Sequence, residues 1–354
     1  MLSDAATLRR ARPHPTAPWE SAEVAPPDRR IVRPEGPAPA VPGRRRGAPP
    51  RVLTLTMSPT LDDSFTVPRL TPASKTRCGP ARFDPGGGGI NVARVLHVLG
   101  EPSTAVFPVG GYLGQYVQHL LGLEGIATAG VPVHGETRQS HHVVDQETGL
   151  EYRFVLPGAP LPVEDQRRCL RALREQAANA DYVVLSGSFP AGVAPDFVLE
   201  VAALARDVGA RLVLDTSGEA LARVRNAYLV KPSVRELEEL VGHQLEQVTE
   251  QVRAAREFLC HSGSTAVVLS RGQQGVVLVT DTYAETIAAH SAEVISTVGA
   301  GDALVAGIVA GLCRDWDLPR ATRFGVACSA AMTETAGTAL FTIGELRRFS
   351  HEEL

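Results

Sequence analysis

The run Thr297-Val298-Gly299-Ala300-Gly301-Asp302 sets a carboxylate directly before an apolar stretch, Ala303 to Leu312, that reads as a helix. Small residues let the backbone N–H groups of such a helix start come close to an anion, and the helix dipole favours negative charge there. The segment therefore reads as a phosphate cradle. A carboxylate inside the cradle repels a bound phosphate, yet it is well placed to accept a proton from an attacking hydroxyl. The plain alternative is Asp302 as a helix N-cap with glycine punctuation.

A second run, Asp84-Pro85-Gly86-Gly87-Gly88-Gly89-Ile90-Asn91-Val92-Ala93, also leads into a helical pattern, with Asn91 in the first turn. Its glycines permit backbone approach to a polyhydroxy ligand, and the Asn91 amide can both donate and accept hydrogen bonds. A dinucleotide fingerprint would need G-x-G-x-x-G directly after the first strand, whereas about thirty residues intervene here. The sequence GxxxxGK[ST] occurs nowhere, which disfavours a P-loop nucleotide site.

These groups need a scaffold that holds loops along one edge. From Arg51 onward, apolar strands alternate with amphipathic helices: Val52 to Met57 is followed by a helical Ile90 to Leu99 and a strand at Thr104 to Pro108. Further strands are expected at Tyr182 to Ser186, Arg211 to Asp215, Ala227 to Lys231 and Ala266 to Ser270. Strand and helix at this spacing predict an α/β fold, a parallel sheet covered on both faces. Two stretches, Ser64 to Phe83 and Gln139 to Leu156, break the rhythm as alternating half-polar strands without helices. They predict a small separate sheet, a candidate lid.

The first fifty residues hold Arg9, Arg10, Arg12, Arg29, Arg30, Arg33 and Arg44 to Arg46 among many prolines. Without a sustained apolar period, residues 1–50 are expected to be a disordered Arg/Pro-rich tail, with the folded domain over 51–354. A targeting peptide is opposed by Asp4, Glu20, Glu23, Asp28 and Glu35 and by the missing apolar core of a signal. The chain has 354 residues, 44% of them hydrophobic, enough for a sizeable core, and a net charge of -4 that implies neither nucleic acid nor membrane partners. Its longest apolar run, Ala303 to Cys313, is far below the roughly 20 residues that span a bilayer. Cys78, Cys169, Cys260, Cys313 and Cys328 are scattered and odd in number, which suits small buried hydrophobes in a reducing cytoplasm.

Taken together, Gly86 to Asn91 and Thr297 to Asp302 resemble the two signature regions of the phosphofructokinase B (ribokinase-like) sugar kinases. The likeness runs from Arg51 to about Gly337. In Lys75-Thr76-Arg77-Cys78, Thr137-Arg138-Gln139, Tyr152 to Gly158 and Ser186-Gly187-Ser188-Phe189-Pro190 it is closest to the 6-phosphofructokinase group of that family. The resemblance implies a three-layer sandwich with a mostly parallel central sheet and a small β-sheet lid. It implies transfer of the ATP γ-phosphoryl group to the C1 hydroxyl of fructose 6-phosphate. Tagatose-6-phosphate kinase, 1-phosphofructokinase and a non-catalytic sugar-phosphate sensor are the alternatives.

The same resemblance implies roles residue by residue. Asp302 looks like the catalytic base, and Gly299, Ala300 and Gly301 look like the anion hole. Asp62, Gly87, Gly88 and Asn91 resemble sugar contacts, while Lys75, Arg77 and Arg138 resemble the cations that hold the existing phosphate. Lys231, Ser270, Gly272 and Gly275 resemble nucleotide contacts, and Glu236 resembles the acid that organises Mg²⁺ through water. A homodimer through the lid, with Lys75 and Arg77 reaching the neighbouring subunit, and K⁺ near Thr335 to Thr338 also follow from the resemblance.

Plain readings stand beside these. Arg138 could be a surface cation, Lys75 and Arg77 could guard an edge strand against pairing, and Glu236 could belong only to the capping box that starts at Ser233. Three departures bear on ligand preference. Ser233 stands where the family usually has Asn, Arg271 where an apolar residue is common, and Thr335-Ala336-Gly337-Thr338 where relatives often carry Asn-Gln-Gly-Thr.

Overall fold

The structure is a computed structural model that describes residues 51–352; the tail assigned to residues 1–50 lies outside the described residues. Short runs of valine and leucine, which fit a pleated surface buried on both sides, form the strands of a large sheet. In chain order the elements begin with β1 (Val52–Leu55), β2 (Thr60–Val67), β3 (Arg82–Gly86), α1 (Gly88–Val98), β4 (Ser103–Gly110), α2 (Gly111–Leu123) and β5 (Ala127–Val133). They continue with β6 (Arg138–Asp145), β7 (Glu151–Val155), α3 (Val163–Gln176), β8 (Tyr182–Ser186), α4 (Phe197–Asp207), β9 (Arg211–Asp215), α5 (Gly218–Arg223) and β10 (Leu229–Val230). The last are α6 (Val234–Val241), α7 (Val248–Ser262), β11 (Ala266–Ser270), β12 (Val276–Thr280), β13 (Ala284–Ile287), α8 (Ala300–Cys313), α9 (Leu318–Thr333) and α10 (Ile343–Leu346).

The large sheet has the order β13-β12-β11-β10-β9-β8-β1-β4-β5. From β11 to β5 every neighbouring pair is parallel, and β12 and β13 extend it as an antiparallel hairpin. The pleat sends alternate residues to opposite faces. Val183 and Leu185 of β8 join the core under α3 to α7, while Tyr182 and Val184 join the core under α1, α8 and α9. A third cluster packs α1 and α2 on β4 through Ile90, Ala93, Phe107, Val117 and Leu121. The result is a sheet between two helical layers.

The second sheet has the order β3-β2-β6-β7, with β2 and β6 parallel and the outer pairs antiparallel. Its strands differ from the expectation in one place. The stretch from Ser64 to Phe83 is not one strand: β2 starts earlier, at Thr60, and residues 68–81 form no strand. Pro68, Pro72 and Pro80 supply no ladder donor there, so the segment loops out. Lys75 and Arg77 therefore sit on an exposed loop, and the reading of them as edge-strand guards is corrected.

Helix α8 is buried along its length from Ala303 to Cys313. Gly307 and Gly311 let it lie close to α9: a Cβ on Gly307 would stand 2.7 Å from the Cα of Gly325, and one on Gly311 2.9 Å from the Cα of Ala321. This packing anchors the helix whose first turn carries Asp302. No helix of the described residues is long and apolar enough to cross a membrane.

Candidate active site

The carboxyl ends of central strands meet the amino ends of α1 and α8 along one edge of the large sheet, the edge where open α/β sheets bind ligands. Asp302 occupies the first turn of α8 but does not cap it. The cap is Gly299, in the left-handed conformation at φ 75°, and no side chain bonds to it. The N-cap alternative for Asp302 is thereby corrected, and the first-turn amides are left for an anion. Gly301 faces Lys231, whose Nζ would be 3.7 Å from a Cβ placed on that glycine.

Asn91 and Ser186 hold the Asp302 carboxylate. Asn91 Nδ2 donates to Oδ2 at 2.9 Å, and Ser186 Oγ donates to Oδ1 at 3.2 Å. The Asn91 carbonyl oxygen is buried with no hydrogen-bond partner, an acceptor free to meet a ligand hydroxyl. Burial pushes the Asp302 carboxyl up to about 7, the Asp215 charge adds to the rise, and the bonds from Asn91 and Ser186 and the Lys231 charge oppose it. A base poised near 7 suits proton transfer at neutral pH.

Behind Asp302, Lys231 Nζ lies 3.0 Å from Asp215 Oδ1. Burial works against the ammonium, but Asp215, Glu236 and Asp302 together raise its pKa above the ordinary value, so it stays charged. Glu236 closes a capping box: its Oε2 accepts from the Ser233 amide at 2.7 Å, and Ser233 Oγ accepts from the Glu236 amide at 3.2 Å. The nucleotide candidates gather next to it, since the Ser270 amide donates to the Pro232 carbonyl at 2.9 Å and bridges pair Ser233 with Ser270. Gly272 and Gly275 flank a single helical turn with φ of 57° and 84°. A side chain on Gly275 would come within 2.1 Å of the Ile287 carbonyl oxygen.

The glycine run is equally crowded. A Cβ on Gly88 would approach Ser186 Oγ to 2.4 Å, one on Gly87 the Thr56 methyl to 2.7 Å, and one on Gly86 the Asp62 carboxylate to 2.1 Å. Thr56 Oγ1 accepts from the Ile90 amide at 2.8 Å and so fixes the start of α1.

On the lid, Thr60 pairs with Arg138 across β2 and β6, and Asp62 lies buried two residues along. Burial raises the Asp62 pKa against the pull of Thr60, Arg138 and Arg153, and burial lowers that of Arg138 against the pull of Asp62. The Arg138 Nε is buried without a partner. Arg138 borders a small cavity lined also by Met57, Pro59, Gly110, Thr137 and Gly158.

One chain thus brings together Asp302, the glycine cradle, Asn91, Lys231 and the Ser270 segment. Lys75 and Arg77 are exposed on the loop between β2 and β3 and are not among the residues that line the cavity beside Arg138. The residue-by-residue reading left out Ser186, Asp215, Arg153 and Thr56. Ser186 and Asp215 are the last residues of β8 and β9, so their place at the carboxyl ends of central strands was the available signal.

Comparison with known proteins places the chain in a family. Residues 59–343 match the pfkB family of carbohydrate kinases. The ATP-dependent 6-phosphofructokinase isozyme 2 of Mycobacterium tuberculosis is 46% identical over 301 residues, spanning 85% of this chain and 89% of that protein. Crystal structures of the Escherichia coli phosphofructokinase-2 with potassium and with fructose 6-phosphate superpose with TM-scores of 0.80 and 0.78, at 37% and 36% identity. Each covers 84% of this chain and 97% of the other. The chain belongs to the pfkB family of carbohydrate kinases. It is a sugar-phosphate kinase, a phosphotransferase with an alcohol group as acceptor.

Proposed function

We propose that the chain transfers the γ-phosphoryl group of MgATP to the C1 hydroxyl of fructose 6-phosphate. The observation that carries the reading is the Asp302 carboxylate, held by Asn91 and Ser186 at an uncapped glycine-lined helix start with its pKa near 7. Asp302 removes the hydroxyl proton as the oxygen attacks the phosphorus in line. The first-turn amides of α8 and the Lys231 ammonium meet the negative charge on the transferring group. Asn91 offers its unpaired carbonyl to a sugar hydroxyl, and Arg138, with an unpaired buried Nε, takes the 6-phosphate.

No group of three or more acidic, His or Cys side chains that could cage a metal exists among the described residues. Mg²⁺ keeps several waters and leans on substrate phosphates with one or two carboxylates; Glu236, whose charge acts on Lys231, would hold it through water. Bound there, Mg²⁺ supplies positive charge to the phosphate oxygens. K⁺ activation and a homodimer through the lid belong to the same reading, the first supported by the potassium complex of the E. coli relative and the second by exposed Phe154, Val155 and Leu156. In that dimer, Lys75 and Arg77 would serve the partner's phosphate site. A reducing cytoplasmic setting fits five cysteines that are scattered along the chain and odd in number.

The test is an ADP-release assay across fructose 6-phosphate, tagatose 6-phosphate, fructose 1-phosphate and unphosphorylated sugars. Fructose 6-phosphate is expected to give the highest kcat/KM. A preference for fructose 1-phosphate would move the chain to the 1-phosphofructokinases, and no turnover of any sugar would favour a sensor.

A further inference from the structure

Arg94 has no part in the chemistry above, yet its guanidinium is among the most buried charges of the chain, 1% exposed. It lies on α1 one turn after Asn91, on the same face of the helix at i+3. Its Nε and one terminal nitrogen clamp the Glu124 carboxylate at 2.7 and 2.6 Å, just past the end of α2. The other terminal nitrogen donates to the Pro85 carbonyl at 3.2 Å and to the Thr338 carbonyl at 3.1 Å. Asp84 stands 3.6 Å away and is itself clamped by Arg82.

These partners are spread through the chain, and two of them, Pro85 and Thr338, lie next to the glycine run and the lid. Pro85 belongs to lid strand β3 and opens the glycine run. Thr338 follows Gly337, which touches the lid: a Cβ there would stand 2.8 Å from Ser64 Oγ and 3.6 Å from His142 Nδ1. Helix α1 also packs into the core through Val92, Val95 and Leu96. What Arg94 adds is a joint between lid strand, glycine run, α2 and the loop after α9. The planar guanidinium serves these three acceptors through a rigid fork of donors, which the flexible point charge of a lysine does not reproduce.

We infer that Arg94 is a positioning residue for phosphoryl transfer, fastening the lid and the glycine run to α1 so that Asn91 stays aligned on Asp302. The inference rests on Asp302 being the base. Around Asp302 the charged and polar groups are Asp215, Lys231, Asn91 and Ser186, and around Arg94 they are Glu124, Asp84 and Arg82. Of the first set, only Asn91 shares an element with Arg94.

The experiment compares wild type, Arg94→Lys, Glu124→Gln and, as a core control, Leu121→Ala in the full chain, by melting temperature, kcat, KM and the pH profile of kcat/KM. Arg94→Lys is expected to lose about 10- to 100-fold in kcat, the scale of small misplacements at a reacting centre. Its acid limb should also move to higher pH, because a loosened Asn91 no longer favours the charged form of Asp302. Leu121→Ala should lower the melting temperature and move neither. A kcat within twofold of wild type with an unmoved acid limb, whatever the melting temperature, would overturn the inference. Should Arg94→Lys not fold, Glu124→Gln decides by the same two criteria, with a smaller expected effect. A wild type without an acid limb near 7 would instead count against Asp302 as the base, a separate failure, and the kcat comparison would still decide for Arg94.

Discussion

Replacing Asp302 by Asn should make the ligand-free protein more stable while it destroys turnover. In the unfolded chain this carboxyl loses its proton near 3.8, whereas in the folded chain it keeps it until about 7. Between those values the folded state binds the extra proton, so wild-type stability falls as pH rises from 4 to 7 and stays reduced above 7. A shift of about three pH units corresponds to a ceiling of ~4 kcal/mol at 1.36 kcal/mol per unit. The amide keeps the shape and both hydrogen bonds, with its oxygen toward Asn91 Nδ2 and its nitrogen toward Ser186 Oγ. It has no charge to desolvate beside Asp215. Allowing for relaxation, about 2 kcal/mol should remain at pH 8, which raises the melting temperature by roughly 3 °C for a domain of about 300 residues, at about 2.1 cal/mol/K of unfolding entropy per residue. The difference from wild type should vanish near pH 4, where both side chains are neutral. Thermal melts from pH 4.5 to 8.5 without ligand, paired with ADP-release rates, test both halves. A melting difference that is flat with pH, or negative at pH 8, refutes the reasoning about burial. A kcat within threefold of wild type refutes the role as base, whose removal typically costs about 10²- to 10⁴-fold.

Other outcomes follow from the same geometry. In wild type, kcat/KM should rise with pH through about 7 as Asp302 loses its proton, and a profile flat from pH 6 to 8 would contradict this. Arg138→Ala should raise KM for fructose 6-phosphate by about 10- to 150-fold, the equivalent of roughly 1.5 to 3 kcal/mol for a charge-assisted bond, and leave KM for ATP unchanged; equal losses for both substrates would mean that Arg138 only supports the lid. Gly88→Ala places a Cβ 2.4 Å from Ser186 Oγ and 2.7 Å from the Gly187 amide, so it should displace the serine that holds Asp302, with a stability cost of about 1 to 3 kcal/mol and a lower kcat. Chelating divalent cations should abolish turnover and leave the melting temperature of the ligand-free chain unchanged, since no set of side chains holds a metal by itself among the described residues.

The sequence by itself determined the layers and the two loops that matter. Strand β8 and strand β11 fall where their apolar runs stand, and the glycine runs open α1 and α8 as the patterning requires, because period and small-residue punctuation are local properties of the chain. It also marked Asp302 and Asn91 as chemically unusual, though nothing local says that they touch across 211 residues of chain. The tertiary structure decided that contact, since α1 and α8 pack side by side against the sheet with their amino ends together. It also decided which neutral-looking residues matter: Ser186 and Asp215 are unremarkable in sequence and become partners of Asp302 and Lys231 only at the carboxyl ends of adjacent strands. The poise of Asp302 near 7 is tertiary as well. A carboxylate's ordinary value is set by its covalent structure, and moving it takes burial and a second carboxylate that distant parts of the chain bring to it.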